Sequence, residues 1–222
     1  MHTTTEHTRM SRAQRREQLI DVARDLFAAH GFDAVTIEHI ATAAGVTKPV
    51  VYDHFGSKDG LYEVIVDREF SALTKLLNAQ LKTNEHPLTT LQNVVSAMLT
   101  YIEDRPSGFA LISHQSPNSS SDTRFVSVLD DVADEVTPLL APILAAHNLD
   151  VDAAPIYSQL LAGALARLGT WWSVQRHPSR EVVAAHATNL LWNGLRNMSP
   201  DPPLPTDHAE RREPEQDTTH SH

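Results

Sequence analysis

The chain has 222 residues, 41% of them hydrophobic, enough apolar material for a core and too much for global disorder. It has no cysteine, which excludes disulfides, zinc–thiolate and iron–sulfur centres and a cysteine nucleophile, and which suits a reducing cytosol. Its formal net charge of −10 speaks against a nucleic-acid partner only if the acidity lies on the contacting surface, so its distribution matters.

Apolar residues recur at helical spacing almost throughout. Ser11 is a good N-cap for a first helix reaching His30, with Leu19, Ile20, Ala23, Leu26 and Phe27 as one stripe and Gly31 as its stop. Thr36 caps a short second helix carrying Ile37, Ile40, Ala41 and Ala44. Gly45 ends it, and only Val46 separates that glycine from Thr47, the cap of a third helix over Lys48 to Phe55. Val46 before the cap and Val51 at the fourth helical position have the spacing of a hydrophobic staple, and Pro49 falls in the first turn, where its missing N–H is harmless.

Gly56 stops this helix and Ser57 caps a longer fourth one running to about Leu81. Pro87 opens a fifth through Leu88, Leu91, Val94, Val95, Met98, Leu99 and Ile102, and a short turn of helix fits Phe109 to Ile112. His114–Asp122 reads as a loop by composition. A helix from about Thr123 should bend or break at Pro138 and Pro142. Two well-marked helices follow, about Ala153 to Gln175 and Ser179 to Asn197, split by His177-Pro178. With no credible strand and no internal repeat, the expected fold is all-α with about nine helices. Residues 1–10 form an arm and the Pro-, acid- and His-rich residues 199–222 a tail, both expected to be disordered. The polar N-terminus lacks the apolar segment of a secretory signal, and no apolar run nears the ~20 residues of a membrane helix, so the expectation is a cytoplasmic protein with no membrane partner.

Residues 1–60 hold 7 Lys and Arg against 8 Asp and Glu, whereas residues 61–222 hold 11 against 20. The acidity therefore belongs to the C-terminal part. Arg9, Arg12, Arg15 and Arg16 face only Glu6 across the first sixteen residues, either as a solvated tail or as an arm for a minor groove. Two short helices about a glycine turn have the layout of a helix-turn-helix. With Val46, Val51 and Phe55 turned inward, Lys48, Pro49 and Tyr52 share the outer face of the third helix and offer donors to phosphates and base edges. Helix N-termini at Thr36 and Ser57 add backbone N–H groups suited to phosphate, with Lys58 beside the second.

The stretch Gln18 to Leu61 resembles the DNA-binding domain of the TetR (tetracycline-repressor) family. The matching positions are Ala23, Leu26, Phe27 and Gly31, then Thr36, Ile40, Ala41, Ala44, Gly45 and Val46, then Tyr52, His54, Phe55, Ser57, Lys58 and Leu61. The resemblance implies that residues 11–56 are a helix-turn-helix domain whose third helix enters the major groove. It implies phosphate contacts from Thr36, Tyr52, His54 and Lys58, with Thr47, Lys48 and Pro49 nearer the bases. Val50 is a candidate thymine-methyl contact, and Asp53 either reads a cytosine amine or repels wrong placements. Phe27, Ile40 and Phe55 read as core, and His54 fits a structural role equally well.

For residues 57–198 the family implies a helical regulatory and dimerisation domain whose last two helices pair with those of a second copy. Ala164, Leu168, Trp172, Leu190, Leu191 and Gly194 are candidates for that interface, with buried monomer core as the alternative for its aromatics. The partners expected are double-stranded, near-palindromic operator DNA, a second copy of the chain, and a small hydrophobic or aromatic ligand that releases a repressor. Phe70, Met98, Tyr101, Phe109, Ile112, Phe125, Leu129, Tyr157, Leu161 and Trp171 either line a ligand pocket or pack the core. No residue pattern supports a metal site, a cofactor or catalysis: the 13 histidines form no His-x-x-x-His pair with a nearby carboxylate, and there is no phosphate-binding glycine loop or nucleophile elbow. A ligand-independent activator or DNA organiser, and a helical binder that does not act on DNA, remain the alternative functions.

Overall fold

The computed structural model describes residues 10–83, 85–113 and 121–199, with the backbone alone for 121–128. Helices α1 (Arg12–His30), α2 (Ile37–Ala43) and α3 (Lys48–Phe55) form an N-terminal head. Helix α4 (Lys58–Leu81) leads from it into a body of α5 (Pro87–Asp104), α6 (Pro106–Ser113), α7 (Ser121–Ala146), α8 (Ala154–Gln175) and α9 (Arg180–Arg196), with one 3₁₀ turn at Val151–Ala153. Among the described residues there are nine α-helices and no strand, the all-α fold that the apolar spacing predicts.

Local chemistry sets most helix starts. Ser11 and Gln14 close a capping box: the Ser11 N–H donates to Gln14 Oε1 at 2.8 Å and the Gln14 N–H to Ser11 Oγ at 3.2 Å. Thr36 Oγ1 accepts from the His39 N–H at 3.2 Å, and Ser57 Oγ from the Gly60 N–H at 2.9 Å. Thr47 has the extended backbone of a cap but makes no side-chain cap bond, so the expected bond is not formed. Between α2 and α3, Gly45 sits at φ +65°, a left-handed conformation that strains any residue with a Cβ and that turns the chain within two residues.

The head packs Leu19, Ile20, Ala23 and Phe27 of α1 against Ile40 and Ala41 of α2 and Val51 of α3. Leu61 and Ile65 of α4 and Leu111 of α6 complete the same cluster, so the head is closed only by helices of the body. The body core gathers Phe70, Leu73 and Leu77 of α4, Val95, Met98, Leu99, Tyr101 and Ile102 of α5, Phe109 and Ile112 of α6, and Trp172 of α8. Each such side chain contributes about 1.5–3 kcal/mol when fully buried.

Two features depart from the sequence reading. Helix α7 runs unbroken through Pro138 and Pro142. Both prolines and Asp134 are exposed, so the carbonyls that lose their i+4 donor, those of Asp134 and Pro138, belong to the water-facing side of the helix. It also begins at Ser121, so Ser121 and Asp122 belong to the helix and not to the preceding loop. Residues 114–120, the arm residues 1–9 and the tail beyond Ser199 lie outside the described residues.

Candidate nucleic-acid interface

The α2–turn–α3 segment is held from behind. Val51 is fully buried, while Val46, Val50 and Phe55 are half-buried against the head core. The turn is tied by its own backbone, Val46 N–H to Ala41 O at 2.9 Å and Gly45 N–H to Thr42 O at 3.1 Å. Gln18 of α1 adds a brace that the sequence does not announce, donating from Nε2 to Ala44 O at 3.2 Å. With its inner face so fixed, α3 presents Lys48, Pro49, Tyr52 and Asp53 outward; Tyr52 is 50% exposed. Thr47 is exposed at the helix start with its hydroxyl outside any cap bond.

Four of the predicted contact residues, Thr36, Lys48, Tyr52 and Lys58, line one shallow concavity of about 350 Å³ together with Val35, Ile37 and Glu38. Their roles there differ. Lys48 Nζ lies 2.8 Å from Glu38 Oε2, an exposed pair across the turn. The hydrogen bond holds the Glu38 carboxyl below the usual carboxylate range and pushes the Lys48 ammonium above the usual lysine value. Ten residues separate the two in sequence, at no helical interval, so only the folded turn reveals the pair. Lys58 donates to Phe32 O at 3.0 Å and Val35 O at 3.1 Å, and its ammonium stands 4.1 Å from the centre of the Phe32 ring. It braces the α1–α2 connection here, with two of its three donors on backbone carbonyls. His54 is half-buried with its ring 5.9 Å from that of Phe55.

The basic N-terminal residues are also placed. Arg12, Arg15 and Arg16 belong to α1 and not to an arm that precedes it. Arg12 lies 3.7 Å from Asp53, Arg15 donates to Gln18 Oε1 at 2.7 Å, and the Arg16 guanidinium stands 5.0 Å from the Phe55 ring centre.

In the body, an apolar cavity of about 210 Å³ lies between the α4–α5 connection, α5, α7, α8 and α9. Of the ten residues named as candidate pocket lining, Leu161 lines it. Phe70, Met98, Tyr101, Phe109 and Ile112 are packed into the body core, Tyr157 packs against the cluster at the far end of α7, and Leu129 is half-buried. Trp171 is 41% exposed on α8, and the Phe125 side chain lies outside the described residues. The periodicity that identified these residues reports an inward face; it does not report where packing stops short.

Helix α9 packs on α5 and α8 on α7, which leaves an apolar groove between α8 and α9. Ile156, Leu160, Trp171, Val174, Val182 and Leu190 are exposed along these two helices, Leu190 by 73%. Ala164, Leu168, Leu190 and Leu191 line the groove, and Gly194 is exposed further along α9. Trp172 is a correction to the candidate interface. It is 2% exposed within the body core, and its Nε1–H donates to Pro178 O at 2.8 Å, because it points about 100° round α8 from Trp171, toward the body. Among the described residues no group of three metal-ligating side chains occurs, and no helix is long and apolar enough to cross a membrane.

Two family models match the chain: "Bacterial regulatory proteins, tetR family" over residues 19–65, and "Tetracyclin repressor-like, C-terminal domain" over residues 73–204. The transcriptional activator FasR of Mycolicibacterium smegmatis is 36% identical over 104 residues, 47% of this chain and 48% of FasR, so the match spans about half of that relative. The transcriptional repressor KstR2 of Rhodococcus jostii is 27% identical over 193 residues, 82% of this chain and 91% of KstR2. Among solved structures, a TetR-like regulator from Rhodococcus sp. RHA1 superposes with a TM-score of 0.69 at 23% identity, covering 86% of this chain and 100% of that one. The fatty acid degradation regulator FadR of Bacillus halodurans gives 0.67 at 20% identity, covering 82% and 96%. A helix-turn-helix head, a matching C-terminal model over more than half the chain and full-length likeness in fold agree: this chain belongs to the TetR family of DNA-binding transcriptional regulators.

Proposed function

We propose that the chain is a dimeric, cytoplasmic, non-catalytic repressor that leaves a near-palindromic operator when a small apolar molecule enters its body. The observation that carries the DNA half is the concavity on which Thr36, Lys48 and Tyr52 converge beside the exposed start of α3. Thr47, Lys48 and Pro49 reach base edges, Thr36, Tyr52 and His54 meet phosphates, and Lys58 holds the phosphate-facing loop in place. Val50, half-buried, contributes at most a methyl contact. The division into a reading head (11–56) and a regulatory and dimerisation body (57–198) belongs to the same reading, with the start of α4 shared by both cores.

The exposed apolar stripe of α8 and α9 supports pairing with a second copy, which sets two recognition helices about one DNA turn (~34 Å) apart. The ligand site is the 210 Å³ cavity, somewhat larger than the ~150 Å³ apolar cavity that admits benzene. Its walls are Leu, Val, Ile, Ala, Pro and Trp side chains, with Thr83, Thr90 and Glu85 as the polar exceptions and no cation among them. Such a lining fits an uncharged compound of one or two rings, and holds no cation to pair with the carboxylate of a fatty acid, the class that FadR of Bacillus halodurans is named for.

The test is binding of the full chain to DNA from its own upstream region as a function of salt. Sequence-selective binding with a steep salt dependence is expected, and Lys48→Ala or Tyr52→Ala should weaken it tenfold or more. Selective binding absent from the wild type, or unchanged in the Lys48→Ala/Tyr52→Ala double variant, would sink the reading. Neutral aromatic probes should raise the melting temperature and release DNA where fatty acids of equal size do not. Tightening of DNA binding by such a probe would reverse repression into activation, the role FasR is named for.

A further inference from the structure

Glu69, near the middle of α4, is the only buried side chain of a charged type among the described residues, at 1% exposure. A carboxylate in that position is costly unless it is paired from several sides, and this one is. The Tyr101 hydroxyl of α5 donates to Oε2 at 2.7 Å, Arg105 Nη1 lies 3.3 Å from the same oxygen, and Arg24 Nη1 of α1 lies 3.9 Å from Oε1. Burial and that hydrogen bond push the Tyr101 hydroxyl far above the usual tyrosine range, so it stays a donor. Gly108 of α6 passes so close that a Cβ there would run into the carboxylate. One side chain thus joins the head, through α1, to three helices of the body.

The neighbouring residue repeats the link with opposite sign. Arg68 makes a two-pronged ion pair with Glu17 of α1. Helix α4 therefore shows a cation and then an anion to an acid and a base that stand seven residues, two turns, apart on α1. Sliding or rotating α1 on α4 unpairs both contacts together. A buried charge tolerates few arrangements, because losing a partner leaves it desolvated and uncompensated.

We propose that Glu69 is a positioning residue: through Arg24 it fixes the angle of the reading head on the body, and so the spacing of the two heads in a dimer. The proposal rests on the reading that the chain binds a two-half-site operator as a dimer. A head freed from this contact still folds and still reads one half-site; what it loses is the pre-set geometry that lets both heads bind at once.

The experiment measures binding of the full chain, by fluorescence anisotropy, to the two-half-site operator and to a duplex carrying a single half-site. Arg24→Gln and Glu69→Gln should weaken binding to the full operator by about 5- to 20-fold, with single-site binding within about twofold of wild type. Arg105→Gln removes a body-side partner, and Asp21→Asn and Asp25→Asn remove Arg24's two closer partners, at 2.9 and 3.3 Å; all three should leave the two affinities within about twofold. Circular dichroism melts establish that each variant is folded at the assay temperature, and Arg24→Gln carries the test alone if Glu69→Gln does not fold. The proposal is overturned if Arg24→Gln binds the full operator like wild type, if it loses single-site binding to the same degree, or if Arg105→Gln is as damaging. A wild-type chain that binds neither duplex selectively would instead remove the DNA reading beneath it.

Discussion

Leu190 and Trp172 lie on the last two helices and make opposite predictions when each is cut back to alanine. Leu190 keeps 73% of its surface exposed in the protomer. Covering a leucine fully contributes about 1.5–3 kcal/mol, so burial of this one against a second copy contributes roughly 1–2 kcal/mol per protomer and about 2–4 kcal/mol per dimer. Leu190→Ala should therefore weaken self-association by about 30- to 700-fold. The fold of the protomer should be untouched, since alanine is the better helix former and little packing is lost. Trp172 is 2% exposed, and Trp172→Ala opens a cavity in the body core at about 3–5 kcal/mol. It should lower the melting temperature sharply and affect association only through the unfolded fraction. Sedimentation equilibrium over a dilution series, with denaturant melts at a fixed protein concentration because a dimer's melting depends on it, separates the two effects. An unchanged dimer constant for Leu190→Ala would refute the α8–α9 face. A Trp172→Ala chain that melts like wild type but dissociates would refute the burial argument.

The head supports three further expectations. Glu38→Gln removes the partner that holds Lys48 2.8 Å away and takes a negative charge off the proposed DNA-facing surface, so operator binding should tighten a few-fold and its salt dependence steepen; weaker binding would mean that Glu38 orients Lys48 and does not mask it. Lys58→Met keeps the apolar stem and loses the bonds to Phe32 O and Val35 O; thermal melts should show a loss of about 1 kcal/mol, and a salt slope that falls by a full contact without any change in melting would return Lys58 to a phosphate role. Gly108→Ala drives a Cβ into the Glu69 carboxylate and should cost about 1–3 kcal/mol in a urea melt, as overpacked sites do; a melt identical to wild type would mean that the α4–α6 approach is loose.

Helix positions and the head's inner face were legible because each rests on local signals: Ser11, Thr36 and Ser57 as caps, glycines at 31, 45 and 56 as stops, and an apolar stripe that must face inward. Adjacency between elements was not. Trp171 and Trp172 illustrate the limit, since neighbours on a helix point about 100° apart and composition cannot tell which of the two meets the body. Lys58 illustrates another: a lysine beside a helix N-terminus fits phosphate binding and loop bracing equally well in sequence, and only the carbonyls of Phe32 and Val35, brought within 3.0 and 3.1 Å by the fold, decide its partners. The cavity was illegible for a different reason. Aromatic residues such as Phe70, Phe109 and Tyr101 are the ones that fill space, so they mark where the body is dense. The opening lies instead where shorter aliphatic side chains of α5, α7 and α8 fail to meet.

Glu69 brings these limits together. In sequence it is one acid among 28 on a chain of net charge −10, next to an arginine, and reads as part of a solvated helix face. It becomes buried because α4 belongs to two cores at once: its first turns close the head around Leu61 and Ile65, and its later turns carry Phe70, Leu73 and Leu77 into the body. Residue 69 falls where one core gives way to the other, on the side where α1, α5 and α6 all approach. An apolar side chain there would weld the two cores into one. A charge held by Arg24 on one side and by Tyr101 and Arg105 on the other adds to the shared apolar packing a contact that has a direction and favours one orientation of α1 on α4. Under the proposed function, a contact of that kind in the middle of α4 sets the head angle from which a ligand would have to displace it.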